Sequence, residues 1–427
     1  AAETSDANVA PYSLVSRTEY NISEVSSADD FTIVLIPGTK SELGLFSLFE
    51  RLGISYEPVV VFTFAEAIQV FLREGADLLL YPTTLINETL LPAEFLLLQP
   101  SFDNDGNTSL QDDSATQIGS DGQESLNGTG EDDTLEGMGG DDTIDGGDGT
   151  DLAVYSGPQE AYTLSLSSES TLVFDRRANG DGSDTLLSIE YLDFAIELPV
   201  FASSPMNLDS FDDGTLLGAE ELSSIVELYI AYFNRAPDSI GLNFWASSFA
   251  RGEVDMAQMA ELFFDQPETR SIYASSLNED GSQITDATAF VIAIYTNVLG
   301  RSPDAGGRDF WVGVLEQGAV TPGAAIGSII EGAKADAPSN ATQAEIDART
   351  LDQQYLENAT DIGIHFAVIN GMSDTTNADV VMNLLTRSQD SVSSAVAQSN
   401  QFLEAAQSAQ DGEFLMPLIG VVDDPFG

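Results

Sequence analysis

The chain has 427 residues, with 70 acids against 14 bases and one histidine, for a formal net charge of −56. So acidic a surface repels phosphate backbones and anionic lipid headgroups while attracting divalent cations, which excludes nucleic acid as a partner. There is no cysteine, so disulfides, thiolate metal sites and cysteine nucleophiles are excluded, and a single histidine rules out a two-histidine metal site within one chain.

With 43% apolar and 9% aromatic residues the chain can bury real cores, and its length suggests about two to four domains. Only Lys40 and Lys334 are lysines; the remaining bases are arginines, which favour fixed, forked pairing over flexible solvated charge. No apolar run reaches the roughly 18 residues that a spanning helix needs. The first residues lack a basic-then-apolar signal pattern, so prior processing or another export route is expected.

The composition changes sharply along the chain. No Lys or Arg occurs between Glu74 and Asp175, and residues 101–151 hold 15 acids among Gly, Ser, Thr and Asn. An N-terminal extension (1–30) precedes an apolar-patterned region at 31–100. There, β-branched runs at 31–36, 59–62 and 78–81 alternate with helical spacing at 41–52 and 64–73, which predicts an α/β unit of βαβαβ order. Its first turn sets Gly38, Thr39 and Ser41 at a helix N-terminus, where free N–H groups favour an anion or carboxylate. The string FTIVLIPGTKSELGLFSLFERLGISYEPVVVFTFAEAIQVFLREGADLLLYPTT resembles one lobe of periplasmic binding proteins for polar amino acids. That resemblance implies a Gly-Thr turn that helps hold a ligand carboxylate. The second lobe and hinge strands are missing, so a recruited scaffold is the expected role.

After an acidic linker (101–118), residues 119–154 align in nines as GSDGQESLN, GTGEDDTLE, GMGGDDTID and GGDGTDLAV. Gly119, Gly128, Gly137 and Gly146 share the first position, Glu124, Asp133, Asp142 and Asp151 the sixth, and Leu126, Leu135, Ile144 and Ala153 the eighth. The pattern resembles the GGxGxDxUx repeat of RTX (haemolysin-type) proteins. The resemblance implies a parallel β-roll in which a six-residue turn alternates with a three-residue strand. Glycines such as Gly128, Gly130, Gly137, Gly139 and Gly146 would let the turns aim carbonyl oxygens at one point. The sixth-position acids, with Asp148, would supply charge, and the eighth side chain would point inward. Turns on one side then lie eighteen residues apart, pairing Glu124 with Asp142 and Asp133 with Asp151 around Ca2+. An all-oxygen donor set on flexible turns favours calcium over magnesium.

The strings DLAVYSG, YTLSLSS, TLVFDRR and NGDGSDTLLSIEYLDF alternate as strands and resemble the β cap that closes such rolls, so roll and cap are placed at 119–200. Within NGDGSD, Asp181 and Asp184 are candidates for a further ion. A linker (201–219) follows.

Residues 220–410 read as an all-α bundle built on a duplication. LYIAYFNRAPDSIGLNFW (228–245) and IYTNVLGRSPDAGGRDFW (294–311) coincide at an offset of 66 residues in Tyr229/Tyr295, Arg235/Arg301, Pro237/Pro303, Asp238/Asp304, Gly241/Gly307, Phe244/Phe310 and Trp245/Trp311. Each copy predicts helix, turn, helix, with the Phe-Trp pair packed into the bundle and each Arg paired to a local acid. His365 is expected as a packing residue, and a final helix near 392–409. The pattern resembles a domain family of unknown function that recurs in bacterial RTX proteins, and more faintly the anchoring part of some S-layer proteins, which bind lipopolysaccharide.

No GxSxG, Walker A loop, GxGxxG or paired histidines occur, so a non-enzyme is expected. The reading is a secreted, calcium-binding structural or adhesive protein of a Gram-negative cell surface or extracellular assembly. Its partners would be calcium and either further copies of itself or a surface polysaccharide. A glycan- or amino-acid-binding module is the alternative, and a hydrolase a remote one. The resemblance implies type I export, for which the tail (411–427) is a candidate signal.

Overall fold

The computed structural model describes residues 115–196, 198, 205–278 and 283–427 in full, and before them the backbone of five strands. Those strands are β1 (Tyr12–Arg17), β2 (Asp30–Leu35), β3 (Ser55–Val60), β4 (Leu78–Pro82) and β5 (Phe95–Leu98). They form one sheet of order β3-β2-β4-β1-β5. β2 pairs in parallel with β3 and β4, and β1 pairs antiparallel with β4 and β5. The segment before residue 30 therefore supplies a strand to the sheet instead of a bare extension. The helices expected at 41–52 and 64–73, and the turn with Gly38, Thr39 and Ser41, lie outside the described residues.

The nine-residue period becomes two sheets. β6 (Thr116–Ile118), β8 (Thr134–Glu136) and β10 (Leu152–Pro158) stack in parallel in one; β7 (Ser125–Asn127) and β9 (Thr143–Asp145) do so in the other. Partners such as Thr116 and Thr134, or Ser125 and Thr143, are eighteen residues apart, because alternate repeats return to the same side. The ladder starts one strand earlier than the glycine pattern, at β6. Leu126, Leu135, Ile144 and Ala153 all point inward and are buried. With one inward apolar side chain per nine residues, this thin core falls well short of the ordering cost of its chain.

The cap extends both sheets. β11 (Tyr162–Leu166), β12 (Thr171–Asp175) and β13 (Ser183–Leu187) form a meander, each antiparallel to the next, and β13 then pairs in parallel with β9. β14 (Tyr191–Ile196) pairs in parallel with β10 and is edged by β15 (Met206–Asn207). Tyr155, Tyr162 and Phe194 pack with centroids 5.0–5.5 Å apart, replacing the small repeat core by an aromatic one.

Helices then take over: α1 (Ala219–Phe233), α2 (Ser239–Ala250), α3 (Met256–Phe264), α4 (Pro267–Ile272), α5 (Ala287–Leu299), α6 (Ala305–Glu316), α7 (Pro322–Lys334), α8 (Gln343–Gly363), α9 (Thr375–Asn383) and α10 (Gln389–Ala406). A π-helical stretch, Ile364–Ile369, continues α8. The duplication is structural. Asp238 caps α2 through Gly241 N at 2.7 Å, and Asp304 caps α6 through Gly307 N at 2.9 Å, satisfying first-turn donors. The Arg235 guanidinium forks onto Glu268 and lies over Tyr229 and Phe233; Arg301 forks onto Asp352 and lies over Tyr295.

The coinciding glycines have a steric reason. A Cβ on Gly241 would stand 2.6 Å from the Tyr229 hydroxyl, and one on Gly307 2.9 Å from that of Tyr295. Gly241→Ala is therefore expected to destabilise the bundle by about 1–3 kcal/mol through overpacking, and adding Tyr229→Phe should recover part of that loss. Thermal melts of the single and double variants check it; no recovery would place the strain elsewhere.

The copies differ in what covers them. α2 buries Ser239, Leu242, Asn243, Ala246 and Ser247, under the short turns Leu208–Ser210 and Asp213–Leu216 and the C-terminal tail. α6 has no buried residue, and Arg308 and Asp309 stand where α2 has Leu242 and Asn243. The expected burial of the Phe-Trp pair is corrected for both phenylalanines: Phe244 is 41% and Phe310 61% exposed, while Trp245 and Trp311 pack partly against the core.

The tail is an integral strap. Phe414, Leu415, Met416 and Leu418 are buried. Leu415 and Leu418 bridge in parallel to Thr163 and Leu166 on the free edge of β11, with Leu164 N donating to Leu415 O at 2.8 Å and Ile419 N to Leu166 O at 2.7 Å. On its other side, Met416 N donates to Gly371 O and Leu418 N to Val368 O, both at 2.9 Å. Beyond the strap, Asp424 and Asn400 hold His365 at 3.2 and 3.0 Å, under the edge of Phe426. In the folded chain residues 414–418 are locked between cap and bundle.

Candidate metal centre

The sixth-position acids form two columns along the roll. Glu124 N donates to Asp142 Oδ1 at 2.7 Å and Asp142 N to Asp184 Oδ1 at 3.0 Å; on the other side Asp133 N donates to Asp151 Oδ1 and Asp151 N to Glu190 Oε2, both at 2.7 Å. Each carboxylate thus holds the backbone of the turn one step earlier with one oxygen, leaving the second for its own turn. In Asp142 and Asp151 that second oxygen, Oδ2, is buried and has no hydrogen-bond partner. An orphaned buried carboxylate oxygen is costly unless a cation neutralises it.

The glycines explain how the turns stack. A Cβ on Gly128 would stand closer than 3.0 Å to both the carbonyl of Gly146 and Asp133 Oδ2, and one on Gly119 would be 2.6 Å from the Gly137 carbonyl and 2.8 Å from Glu124 Oε2. Gly140 adopts φ +132° with the Gly122 carbonyl 2.6 Å from where a Cβ would lie, so a side chain is excluded by both backbone and space. Gly130 has open space around it, Gly139 lies against the carbonyl of Gly180 and Asp121 of neighbouring turns, and Asp148 is exposed at its turn.

Burial, unrelieved by a nearby base, governs the acids. It raises the Asp142 carboxyl, with the Glu124 and Asp141 charges adding, and pushes Asp151 up to about 6. It also raises Asp184 and Glu190 to about 7 each. Glu124, at the exposed end, is held below the usual range by Ser120 hydrogen bonds. Among the described residues no three acids converge on one point, so a cation held here would need backbone carbonyls beside the carboxylate oxygens. Such an all-oxygen set suits a hard ion of high coordination number, as calcium is.

Two candidates from the sequence, Asp181 and Asp184, part company here, and three further acids, Glu190, Asp132 and Asp141, join the turns without having been read from the sequence. Asp181 accepts from Ser156 N and Tyr162 Oη and lies beside Arg177, which forks onto Asp175. It is tied into a buried hydrogen-bonded network in the cap, with its charge acting on Asp184 but without bonding to a repeat turn as Asp184 does. Glu190 escaped sequence reading because it lies outside the nine-residue phase. So did Asp132 and Asp141, at the unspecified fifth position, which accept from Thr150 N at 2.9 Å and Ser183 N at 3.1 Å on the next turns.

Residues 118–153 match the family described as RTX calcium-binding nonapeptide repeat, in four copies. The roll is built of RTX calcium-binding repeats. RTX nonapeptide repeats bind calcium, and the buried, unpartnered Oδ2 atoms of Asp142 and Asp151 are oxygens that could serve it. Residues 270–333, spanning α5 to α7 of the duplicated region, match a domain of unknown function, DUF4214. Among solved structures, the extracellular lipase LipA from Serratia marcescens is similar at 24% identity, over 22% of this chain and 16% of that one, with a TM-score of 0.12. No curated protein matches the chain. RTX repeats mark a calcium-binding protein of secreted type, and among the described residues no helix is long and apolar enough to cross a membrane.

Proposed function

We propose that the chain is a structural or adhesive protein of a Gram-negative cell surface or extracellular assembly, exported unfolded and folded by calcium outside the cell. The observation that carries this reading is the pair of carboxylate columns, with buried unpartnered oxygens, in a roll whose core has one inward side chain per repeat. Such a roll is a folding switch, since binding free energy becomes folding free energy. The strap passes that switch to the helical bundle, so the whole C-terminal half is assembled where calcium is abundant. The reading assigns no catalytic step to the chain. Light scattering with millimolar calcium and with chelator tests the assembly role: larger particles are expected with calcium, and a monomer under both conditions would sink it.

For residues 31–100 we propose an α/β lobe, supported by the parallel pairing of β2 with β3 and β4, which requires crossover connections.

A second reading, recognition of a surface polysaccharide, is favoured by one feature: both copies of the duplication leave a phenylalanine exposed and edge-on to a tryptophan, Phe244 with Trp245 and Phe310 with Trp311. Calorimetry with purified surface polysaccharide, on the native chain and on Phe310→Ala, decides whether those rings take part.

A further inference from the structure

Three stations of the roll share one construction. Beside Gly119 the carbonyl of Gly137 and Oε2 of Glu124 crowd the place of a Cβ; beside Gly128 the carbonyl of Gly146 and Oδ2 of Asp133 do so; beside Gly146 it is the carbonyl of Ser188 and Oδ2 of Asp151, all closer than 3.0 Å. The first two stations are made by repeats alone, and the third is completed by the cap. Its backbone follows the same scheme. Gly146 N donates to Leu187 O at 3.0 Å, as Gly119 N and Gly128 N donate to Glu136 O and Asp145 O at 2.8 Å. Asp151 N donates to Glu190 Oε2 at 2.7 Å, as Asp133 N donates to Asp151 Oδ1 at 2.7 Å.

The cap reaches this geometry with a different turn. In a repeat the first-position carbonyl and sixth-position acid are five residues apart, as in Gly146 and Asp151; here Ser188 and Glu190 are two apart. Ser188 takes the left-handed conformation, φ +49°, which tightens the turn, and Glu supplies one more methylene than Asp. Asp151 is fully buried and its Oδ2 has no partner. Beside Gly137, by contrast, the nearest atoms belong to Asp142 and Ile144, so in the Asp142 column the cap supplies a carboxylate, Asp184, without the crowding carbonyl, and carbonyl and carboxylate come together only at Asp151.

We propose that Ser188 and Glu190 of the cap complete a calcium position with Asp151, beyond the positions that the four repeats form among themselves. This rests on the reading of the roll as calcium-folded. The cap is then a ligand of the last ion as well as a cover for the last strand. Closure of the roll and occupancy of that position become one event, joining β10 to β14.

Native mass spectrometry of the full chain in saturating calcium counts the ions. Glu190→Gln is expected to carry one calcium fewer than the native chain, and Asp193→Asn, which removes a charge from the adjoining strand, the native number. An unchanged count in Glu190→Gln overturns the proposal while leaving the calcium-folded roll intact; a native chain that carries no calcium overturns both. If Glu190→Gln does not fold, Glu190→Asp, which keeps the charge but shortens its reach, decides: one weakened ion supports the position, and all ions at native affinity overturn it.

Discussion

Chelation of calcium is expected to remove the roll's share of the β component of the far-UV circular dichroism spectrum, leaving the helical signal and that of the separate β1–β5 sheet in place. The roll gathers Glu124, Asp133, Asp142, Asp151, Asp184 and Glu190 into two columns, and burial already lifts four of these carboxyls above their ordinary range. Without a cation their charges oppose closure, and Leu126, Leu135, Ile144 and Ala153 are the whole apolar return from four repeats. The ordering cost of nine residues per repeat exceeds what one buried side chain supplies. Asp133→Ala with Asp142→Ala, one acid from each column, should reproduce the loss even in saturating calcium. A native β spectrum under chelator, or tight calcium uptake by the double variant, would contradict the ladder.

Removal of residues 413–427 is expected to uncouple the helical bundle from calcium. The strap buries Phe414, Leu415, Met416 and Leu418, at about 1.5–3 kcal/mol each, and its main chain bonds to β11 on one side and to Val368 and Gly371 on the other. Arg176 adds a third tie, from the cap to the carbonyl of Glu413 at 2.7 Å. In the full chain calcium should therefore raise the melting temperature of the helical transition as well as that of the roll. In the truncated chain the helical transition should fall to lower temperature, and its response to calcium should shrink to what the segment around Met206–Leu216 still carries. Differential scanning calorimetry of both chains, with and without calcium, measures this. An undiminished calcium response after truncation would mean that the strap is not the coupling element.

The roll was legible because its period is a chemical requirement. Glycine is needed where another turn's carbonyl takes the place of a Cβ, an acid where the preceding turn's amide and the ion must be met, and an apolar residue where the strand faces inward. These demands recur every nine residues and so print themselves on the sequence. The columns of the cap do not. Asp184 lies 42 residues from Asp142, and Glu190 lies 39 from Asp151; these separations are set by the intervening β-meander, not by the repeat. Asp181, in an identical-looking acidic turn, was drawn away by Tyr162, Ser156 and Arg177.

The duplication shows the same division. Tyr, Asp and Gly coincide in the two copies because each makes contacts within its own helix-turn-helix unit, as each Arg does over its Tyr ring, so spacing reveals them. The acids onto which the arginines fork, Glu268 and Asp352, lie 33 and 51 residues away instead of locally and at unlike offsets. Whether the unit's outer face is covered depends on chain from elsewhere. α2 lies under the turns at Leu208–Leu216 and the strap, and α6 under neither, which is why Phe310 stands more exposed than Phe244.

By itself the sequence determined the acidic surface, the alternation of turn and strand at residues 119–154, the oxygen-only donor set and its calcium chemistry, and the internal repeat of the helices. Each of these follows from interactions between residues close in the chain or at a fixed interval along it. The tertiary structure alone decided that the tail is a strap, that Glu190 stands at the end of a carboxylate column, and which of two like helices is left bare. In all three, residues tens to hundreds of positions apart meet at the free edge of a sheet or the open face of a helix. Such meetings depend on what else packs there and leave no periodic trace.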